Sequence, residues 1–182
     1  MLMLLLPSVV LAAAFKGVDH KHWTDRYDRH FRKYAKHYFG PTVDWRWFKA
    51  QGIAESGLDP KARSKSGALG IMQILPSTFR YIRRKNPAIA SLIDDPRWNI
   101  AAGIYYDRYL YDKWEKEVVD PGERLFFAFG AYNAGHSRVR KSYNKAVKKL
   151  GRTPSWEEVD DWLPGQTRHY VRRIRELMRE AL

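Results

Sequence analysis

The chain has 182 residues, of which 33 are Lys or Arg and 20 are Asp or Glu, giving a formal net charge of +13 at pH 7. Hydrophobic residues make up 45% and aromatic residues 14%, which excludes a disordered polycation and is enough for the core of one domain. Because the chain contains no cysteine, disulfides, iron–sulfur clusters, thiol nucleophiles and Cys-ligated zinc are also excluded.

The first fifteen residues, MLMLLLPSVVLAAAF, carry no charged side chain. As a helix they would span about 22 Å, which is short of the roughly 30 Å hydrocarbon core of a bilayer. An apolar stretch that ends in small residues before charged sequence is typical of a signal peptide, although here no basic residue precedes it. We expect residues 1–15 to be an export signal or a short hydrophobic N-terminus, with a buried helix as the alternative. An exported protein would reside in the periplasm or cell envelope.

Helical periodicity begins after this segment. Aromatic side chains at Tyr27, Phe31, Tyr34 and Tyr38 predict one face of a helix that Gly40-Pro41 ends, so we expect residues 16–42 to form an N-terminal helical extension. Asp44 is then expected to cap a second helix, which would end at Gly57. Residues 57–75 are rich in Gly, Ser and Pro and predict an ordered loop.

The second half of the chain continues with helices. Helices are expected over residues 76–86, 95–114, 122–132 and 139–150, with small residues at 101–103 that would admit a neighbouring helix. Ser155-x-x-Glu158 is a capping-box pattern for a short helix, and Thr167 is expected to cap a last helix that ends near Leu182. Seven or eight helices without convincing strand alternation predict an all-α fold.

Glu55 is the strongest candidate for catalysis. It is flanked by Ile53, Ala54 and Leu58, and it lies at the C-terminal end of a predicted helix, where the helix dipole is negative. Both effects should raise its pKa from about 4.3 toward the range in which a general acid keeps its proton at neutral pH. The alternative interpretation is a solvated glutamate at a helix end.

Neutral amides and an aromatic ring accompany Glu55 in the sequence. Gln73, Tyr132 and Asn133 suit sugars that bear N-acetyl groups, because amides pair with amides and rings stack on sugar faces. A helix cap for Asn133 and a core position for Tyr132 are equally compatible with the spacing. The histidines do not have zinc-site spacing, so we expect no metal and no cofactor.

Several blocks of sequence resemble, in order, the catalytic domain of the soluble lytic transglycosylases, which are relatives of goose-type lysozyme. The resemblance covers roughly residues 43 to 175 and implies a single lysozyme-like helical domain over residues 43–182. The blocks are Glu55-Ser56-Gly57, Pro60-x-Ala62-x-Ser64, Gly67-Ala68-x-Gly70-Ile71-Met72-Gln73-Ile74-x-Pro76-x-Thr78, Asn99-Ile100-x-x-Gly103-x-x-Tyr106, Ala131-Tyr132-Asn133-Ala134-Gly135 and Thr167-x-x-Tyr170-Val171.

The resemblance also implies roles for individual residues, with Glu55 as the catalytic acid and base. The family often has Glu before the Thr-x-x-Tyr-Val block, whereas this chain has Gln166 and therefore one carboxylate fewer. The substrate-binding residues implied are Ser56 beside an N-acetyl group, Met72 and Gln73 in the sugar cleft, Tyr132 and Asn133 at the cleavage site, and Tyr170 against Glu55.

The activity implied is cleavage of the β-1,4 bond between N-acetylmuramic acid and N-acetylglucosamine in peptidoglycan glycan strands, with formation of 1,6-anhydro ends. We expect the protein to be a monomer. A lysozyme-type muramidase acting on the same bond is one alternative. A basic, non-catalytic protein that binds the cell wall or nucleic acid is another, because seven cations occur without an acid among them. They are Arg138, Arg140, Lys141, Lys145, Lys148, Lys149 and Arg152. For an exported enzyme, this charge would attract the anionic cell-envelope surface rather than a specific nucleic acid, and a merely solvated face is equally compatible.

Overall fold

The computed structural model describes residues 22–90 and 92–181, and this part of the chain contains eight α-helices, one short 3₁₀ helix and no named strand. The predicted all-α class is therefore confirmed. The 3₁₀ helix is Asp25–Tyr27, and the α-helices are α1 Asp28–Phe39, α2 Arg46–Ser56, α3 Pro76–Lys85, α4 Pro96–Asp112, α5 Pro121–Ala134, α6 His136–Leu150, α7 Trp156–Asp160 and α8 Gly165–Glu180. The predicted export signal and Leu182 lie outside the described residues. None of the described helices has the length and apolar character needed to span a membrane.

Several helix ends follow the capping signals in the sequence. Gly57 and Gly151 adopt left-handed backbone conformations, with φ of 65° and 68°, at the C-termini of α2 and α6. The Asp95 carboxylate accepts a hydrogen bond from the Trp98 backbone N–H at 3.1 Å and caps α4. Ser155 opens α7 with the predicted capping box.

Two predicted caps are wrong. Helix α2 begins at Arg46 with Trp45 as its N-cap residue, although the Asp44 carboxylate still accepts a hydrogen bond from the Arg46 backbone N–H at 2.9 Å. Helix α8 begins at Gly165, two residues before Thr167, and the Thr167 hydroxyl donates its hydrogen bond to another helix instead of to its own backbone. Pro164 is the N-cap residue of α8, and no side-chain hydrogen bond caps this helix.

One hydrophobic core joins all the long helices. The apolar helix α5 lies at its centre, with Phe127, Ala128 and Phe129 fully buried, and it packs against α4, α6 and α8. Helix α1 packs on α4 and α2 through Phe31, which is also fully buried. The described part of the predicted extension therefore shares the core with the helices that follow it.

Asn99 on α4 holds the loop between α2 and α3. Its side chain is buried; its Oδ1 accepts from the Met72 backbone N–H at 2.8 Å, and its Nδ2 donates to the Leu69 and Ile93 carbonyls at 3.0 Å each. The backbone of Gly70 approaches so closely that a Cβ there would lie 2.6 Å from Asn99 Nδ2. Asn99 therefore holds the loop at two backbone positions, 69 and 72.

The small residues at 101–103 serve this loop as well as a neighbouring helix. Helix α4 packs against α5, as expected from the small side chains. A Cβ on Gly103, however, would lie 2.8 Å from Met72 Cβ, so the space above this glycine is filled by the loop residue Met72.

Candidate active site

A cleft of about 560 Å³ opens where α2, the loop, the end of α5 and α8 meet. Its lining includes Ala54 and Glu55 from α2, and Ser64 and Ser66 from the loop. On α8, the residues that line it are Gln166, His169, Tyr170 and Arg173, whose spacing of three and four places them on one side of the helix.

Glu55 lies on the last turn of α2 with its carboxyl group largely enclosed by protein. Tyr170, which is itself buried, donates a hydrogen bond from its hydroxyl to Glu55 Oε1 at 2.6 Å. Burial raises the pKa of Glu55 from 4.5 to about 7, and the Tyr170 hydrogen bond opposes this by favouring the charged form. Protonated and ionised Glu55 therefore coexist near neutral pH, as a group that both gives and takes a proton requires.

Tyr132 and Asn133, at the end of α5, line the same cleft. The Tyr132 hydroxyl donates to the Met72 carbonyl at 2.7 Å, which ties α5 to the loop. The Asn133 Oδ1 accepts from the Thr167 hydroxyl at 3.0 Å, which ties α5 to α8. The two side-chain N–H groups of Asn133 have no hydrogen-bond partner within the described residues. Because Asn133 lines the cleft, these groups are available to a ligand.

Three of the residues expected to contact sugar form contacts within the protein. The Met72 side chain is fully buried against Gly103, so the expectation that it lines the cleft is wrong. The Ser56 hydroxyl donates to the Ile71 carbonyl at 2.8 Å and ties the end of α2 to the loop. Gln73 does line the cleft, but its Nε2 donates to the Gly70 carbonyl at 2.9 Å, within its own loop.

A buried polar pair on α2 and α4 was missed from the sequence. Gln51 Nε2 donates to Asp107 Oδ1 at 3.1 Å, and both residues are fully buried. Burial raises the pKa of Asp107 well above its usual range, the Gln51 hydrogen bond opposes this, and the nearby charge of Glu55 raises it further. The available signal was the spacing: Asp107 follows Gly103 by four residues and precedes Leu110 by three, which is the core face of α4.

Glu55 is the only carboxylate among the cleft-lining residues of the described chain. Asp44 is held by Arg46, with its Oδ2 2.9 Å from the Arg46 Nε, and Asp59 accepts a hydrogen bond from the Lys61 backbone N–H at 2.8 Å. Neither Asp44 nor Asp59 lines the cleft. No cluster of three or more potential metal-ligating side chains occurs in the described ranges.

Residues 31–153 match the sequence profile described as the Transglycosylase SLT domain. The chain is 31% identical over 139 residues to the membrane-bound lytic murein transglycosylase F of Pseudomonas fluorescens, covering 76% of this chain and 26% of that protein. It is 33% identical over 136 residues to the protein of the same name from Salmonella choleraesuis, covering 74% of this chain and 24% of that protein. The chain therefore spans about a quarter of the length of these curated relatives.

Solved structures share the same helical arrangement. The 70 kDa soluble lytic transglycosylase of Escherichia coli superposes with a TM-score of 0.69 at 24% identity, covering 87% of this chain and 24% of that one. An inactive glutamate-to-glutamine mutant of the lytic transglycosylase Slt from Pseudomonas aeruginosa superposes with a TM-score of 0.70 at 25% identity, covering 84% of this chain and 23% of that one. These similarities establish the lysozyme-like helical fold.

Proposed function

The chain belongs to the transglycosylase SLT domain family, and from this premise we propose that it cleaves the β-1,4 bond between N-acetylmuramic acid and N-acetylglucosamine in peptidoglycan. The observation that carries the proposal is the state of Glu55, whose pKa of about 7 lets one residue act as both acid and base. The absence of another carboxylate among the described cleft-lining residues supports a reaction that needs only one.

In the proposed reaction, protonated Glu55 gives its proton to the glycosidic oxygen as the bond to the muramic acid C1 breaks. The acetamido group of the substrate stabilises the positive charge that develops at C1. The Glu55 carboxylate then takes the proton of the muramyl 6-hydroxyl as this oxygen bonds to C1, which returns Glu55 to its starting state. The attacking hydroxyl belongs to the same sugar, so its effective concentration is high and no second base is required.

The side chains around Glu55 divide into two groups in this proposal. Tyr132, Asn133 and Gln73 contact the sugars, and the free N–H groups of Asn133 suit a substrate carbonyl. Tyr170 holds and tunes Glu55. Ser56 supports the site from behind through the hydrogen bond from its hydroxyl to the Ile71 carbonyl of the loop. Met72 lies in this loop and supports it through the hydrogen bond from its backbone N–H to Asn99 Oδ1 on α4.

We further propose that the protein acts at the cell envelope as a monomer, with glycan strands as substrate and the anionic envelope surface as a second partner. The relatives are named membrane-bound, and the charge of +13 supports attraction to an anionic surface. As part of this proposal we keep the domain boundaries expected from the sequence: residues 43–182 for the catalytic domain, 16–42 for the N-terminal helical extension, and 1–15 for an export signal or a short hydrophobic N-terminus.

The test is mass spectrometry of purified peptidoglycan after digestion by the full chain, with Glu55→Gln as the inactive variant and the exposed Glu115→Gln as its matched control. We expect anhydromuramic ends, each lighter by one water than a hydrolysed end, from the wild type and from Glu115→Gln only. Reducing ends that depend on Glu55 would replace the proposal with a muramidase. No Glu55-dependent product would replace it with a binding protein.

A further inference from the structure

Helix α6 presents a continuous row of exposed cations that the proposed chemistry does not use. We name this row the α6 basic patch: Arg138, Lys141, Lys145, Lys148 and Lys149. Their spacing of three, four, three and one residues keeps them on one side of the helix. None of the five has a carboxylate within 4.0 Å in the described part of the chain, whereas Arg140 and Arg152 are paired with Glu117 and Glu158.

Exposed apolar side chains adjoin this patch. The Trp162 residue is 42% exposed and Leu150 is 37% exposed. The Lys145 and Lys149 Nζ atoms lie 5.8 Å and 5.6 Å from the centroid of the Trp162 ring, and the Ser142 hydroxyl of α6 donates to the Trp162 carbonyl at 3.1 Å. The ring and the cations therefore form one surface with a fixed geometry.

This combination fits a bilayer surface better than a polyanion. Tryptophan is enriched where membrane headgroups meet hydrocarbon, and lysines beside it can contact lipid phosphates. Each basic residue near an anionic bilayer contributes about 1 kcal/mol. The nearby acids do not cancel the charge, because Glu158 is already paired and only Asp161 lies beside the ring without a salt bridge in the described chain.

We propose that the α6 basic patch and Trp162 dock the protein on an anionic lipid bilayer. The biological setting rests on the proposed function, which places the protein at the cell envelope. The docking can be tested separately from catalysis, because neither a residue of the α6 basic patch nor Trp162 lines the cleft around Glu55. Binding and glycan cleavage can therefore be measured independently on the same variants.

The test compares partition of the full chain into vesicles of phosphatidylglycerol mixed with phosphatidylcholine against vesicles of phosphatidylcholine alone, at physiological salt. The ratio of the two partition coefficients is the readout, because the apolar residues 1–15 contribute to both. Lys145→Gln/Lys149→Gln should lower this ratio about 25-fold, from two losses of about 1 kcal/mol. The matched control Arg83→Gln/Arg84→Gln, which removes equal charge from exposed positions on α3, should lower it less than about threefold.

Further measurements distinguish an anionic bilayer from other binding partners of this surface. Trp162→Ala should reduce vesicle partition and leave the weak binding to duplex DNA unchanged. Equal losses from the α6 and α3 variants would overturn the proposal in favour of net charge alone, and tighter binding to DNA than to anionic vesicles at the same salt would overturn it in favour of nucleic acid. Release of anhydro products by Lys145→Gln/Lys149→Gln should equal that of the wild type. If neither protein cleaves peptidoglycan but the vesicle partition ratio falls as expected, the proposed function is wrong and the docking proposal is supported.

Discussion

Replacing Glu55 by Gln should make the fold more stable at alkaline pH. Burial holds the pKa of Glu55 at about 7 in the folded protein, against 4.5 for an exposed glutamate. A carboxyl group whose pKa rises on folding favours the folded state while it is protonated. Its contribution is complete below pH 4.5 and is lost as the pH rises through about 7, because the folded protein must then bury a charge.

The size of this effect follows from the two pKa values. Their difference of about 2.5 pH units corresponds to a penalty of about 3 kcal/mol above pH 8 at 1.36 kcal/mol per unit. Glutamine carries no charge, keeps the shape of the side chain and retains an oxygen to accept the Tyr170 hydrogen bond. Glu55→Gln should therefore recover this energy at high pH and gain nothing at low pH.

Thermal unfolding of the wild type, Glu55→Gln and Glu115→Gln at about pH 4 and pH 8.5 measures the effect. For a domain of this size, about 3 kcal/mol corresponds to roughly 6–12 °C in Tm. We expect this gap between Glu55→Gln and the wild type at the higher pH, almost none at the lower pH, and no gap for the exposed control. A Glu55→Gln variant that is equally or less stable than the wild type at pH 8.5 would refute the assignment of Glu55 as a buried, proton-holding acid.

Two further substitutions test the surroundings of the site. Tyr170→Phe removes a hydrogen bond that favours ionised Glu55, so the pKa of Glu55 should rise. The alkaline limb of the pH–rate profile for anhydro-product release should therefore move up by about one to two pH units. An alkaline limb at the wild-type pH would contradict this. Asn99→Ala leaves one buried and two partly buried backbone groups without their partner and should cost about 2 kcal/mol or more in urea unfolding. The exposed Asn144→Ala should cost less than about 0.5 kcal/mol. A loss below about 1 kcal/mol for Asn99→Ala would mean that the loop is held by other contacts.

The order of the helices was predictable because local signals mark their ends. Glycine at a left-handed C-terminus, proline in a first turn and a capping box act within a few residues, so they can be read without knowing the fold. The position of Glu55 on a final helical turn follows from the same signals. Its contact with Tyr170 was implied only by family resemblance, since nothing local connects residues 115 positions apart.

The residues that the sequence misassigned or missed are those whose role depends on a distant neighbour. The loop residue Met72 is buried because Gly103 on α4 leaves room for its side chain. The Thr167 hydroxyl does not cap its own helix because it donates a hydrogen bond to Asn133 on α5. Asn99 and Asp107 have side chains typical of the surface, and only their position on the core face of α4 indicates burial. Spacing identifies a face, but it does not identify what packs against that face.

The distance along the chain between the two ends of the Tyr170–Glu55 hydrogen bond has a consequence for biosynthesis. A ribosome delivers Glu55 long before residue 170, and the last helix must emerge and dock on α2 before the carboxyl group is enclosed. Until then Glu55 is a solvated glutamate, whose usual pKa of 4.5 leaves almost no proton to give at neutral pH. An unfinished chain thus carries the Glu55 motif without the raised pKa of Glu55, so the proposed glycan cleavage would begin only after α8 has emerged and docked on α2.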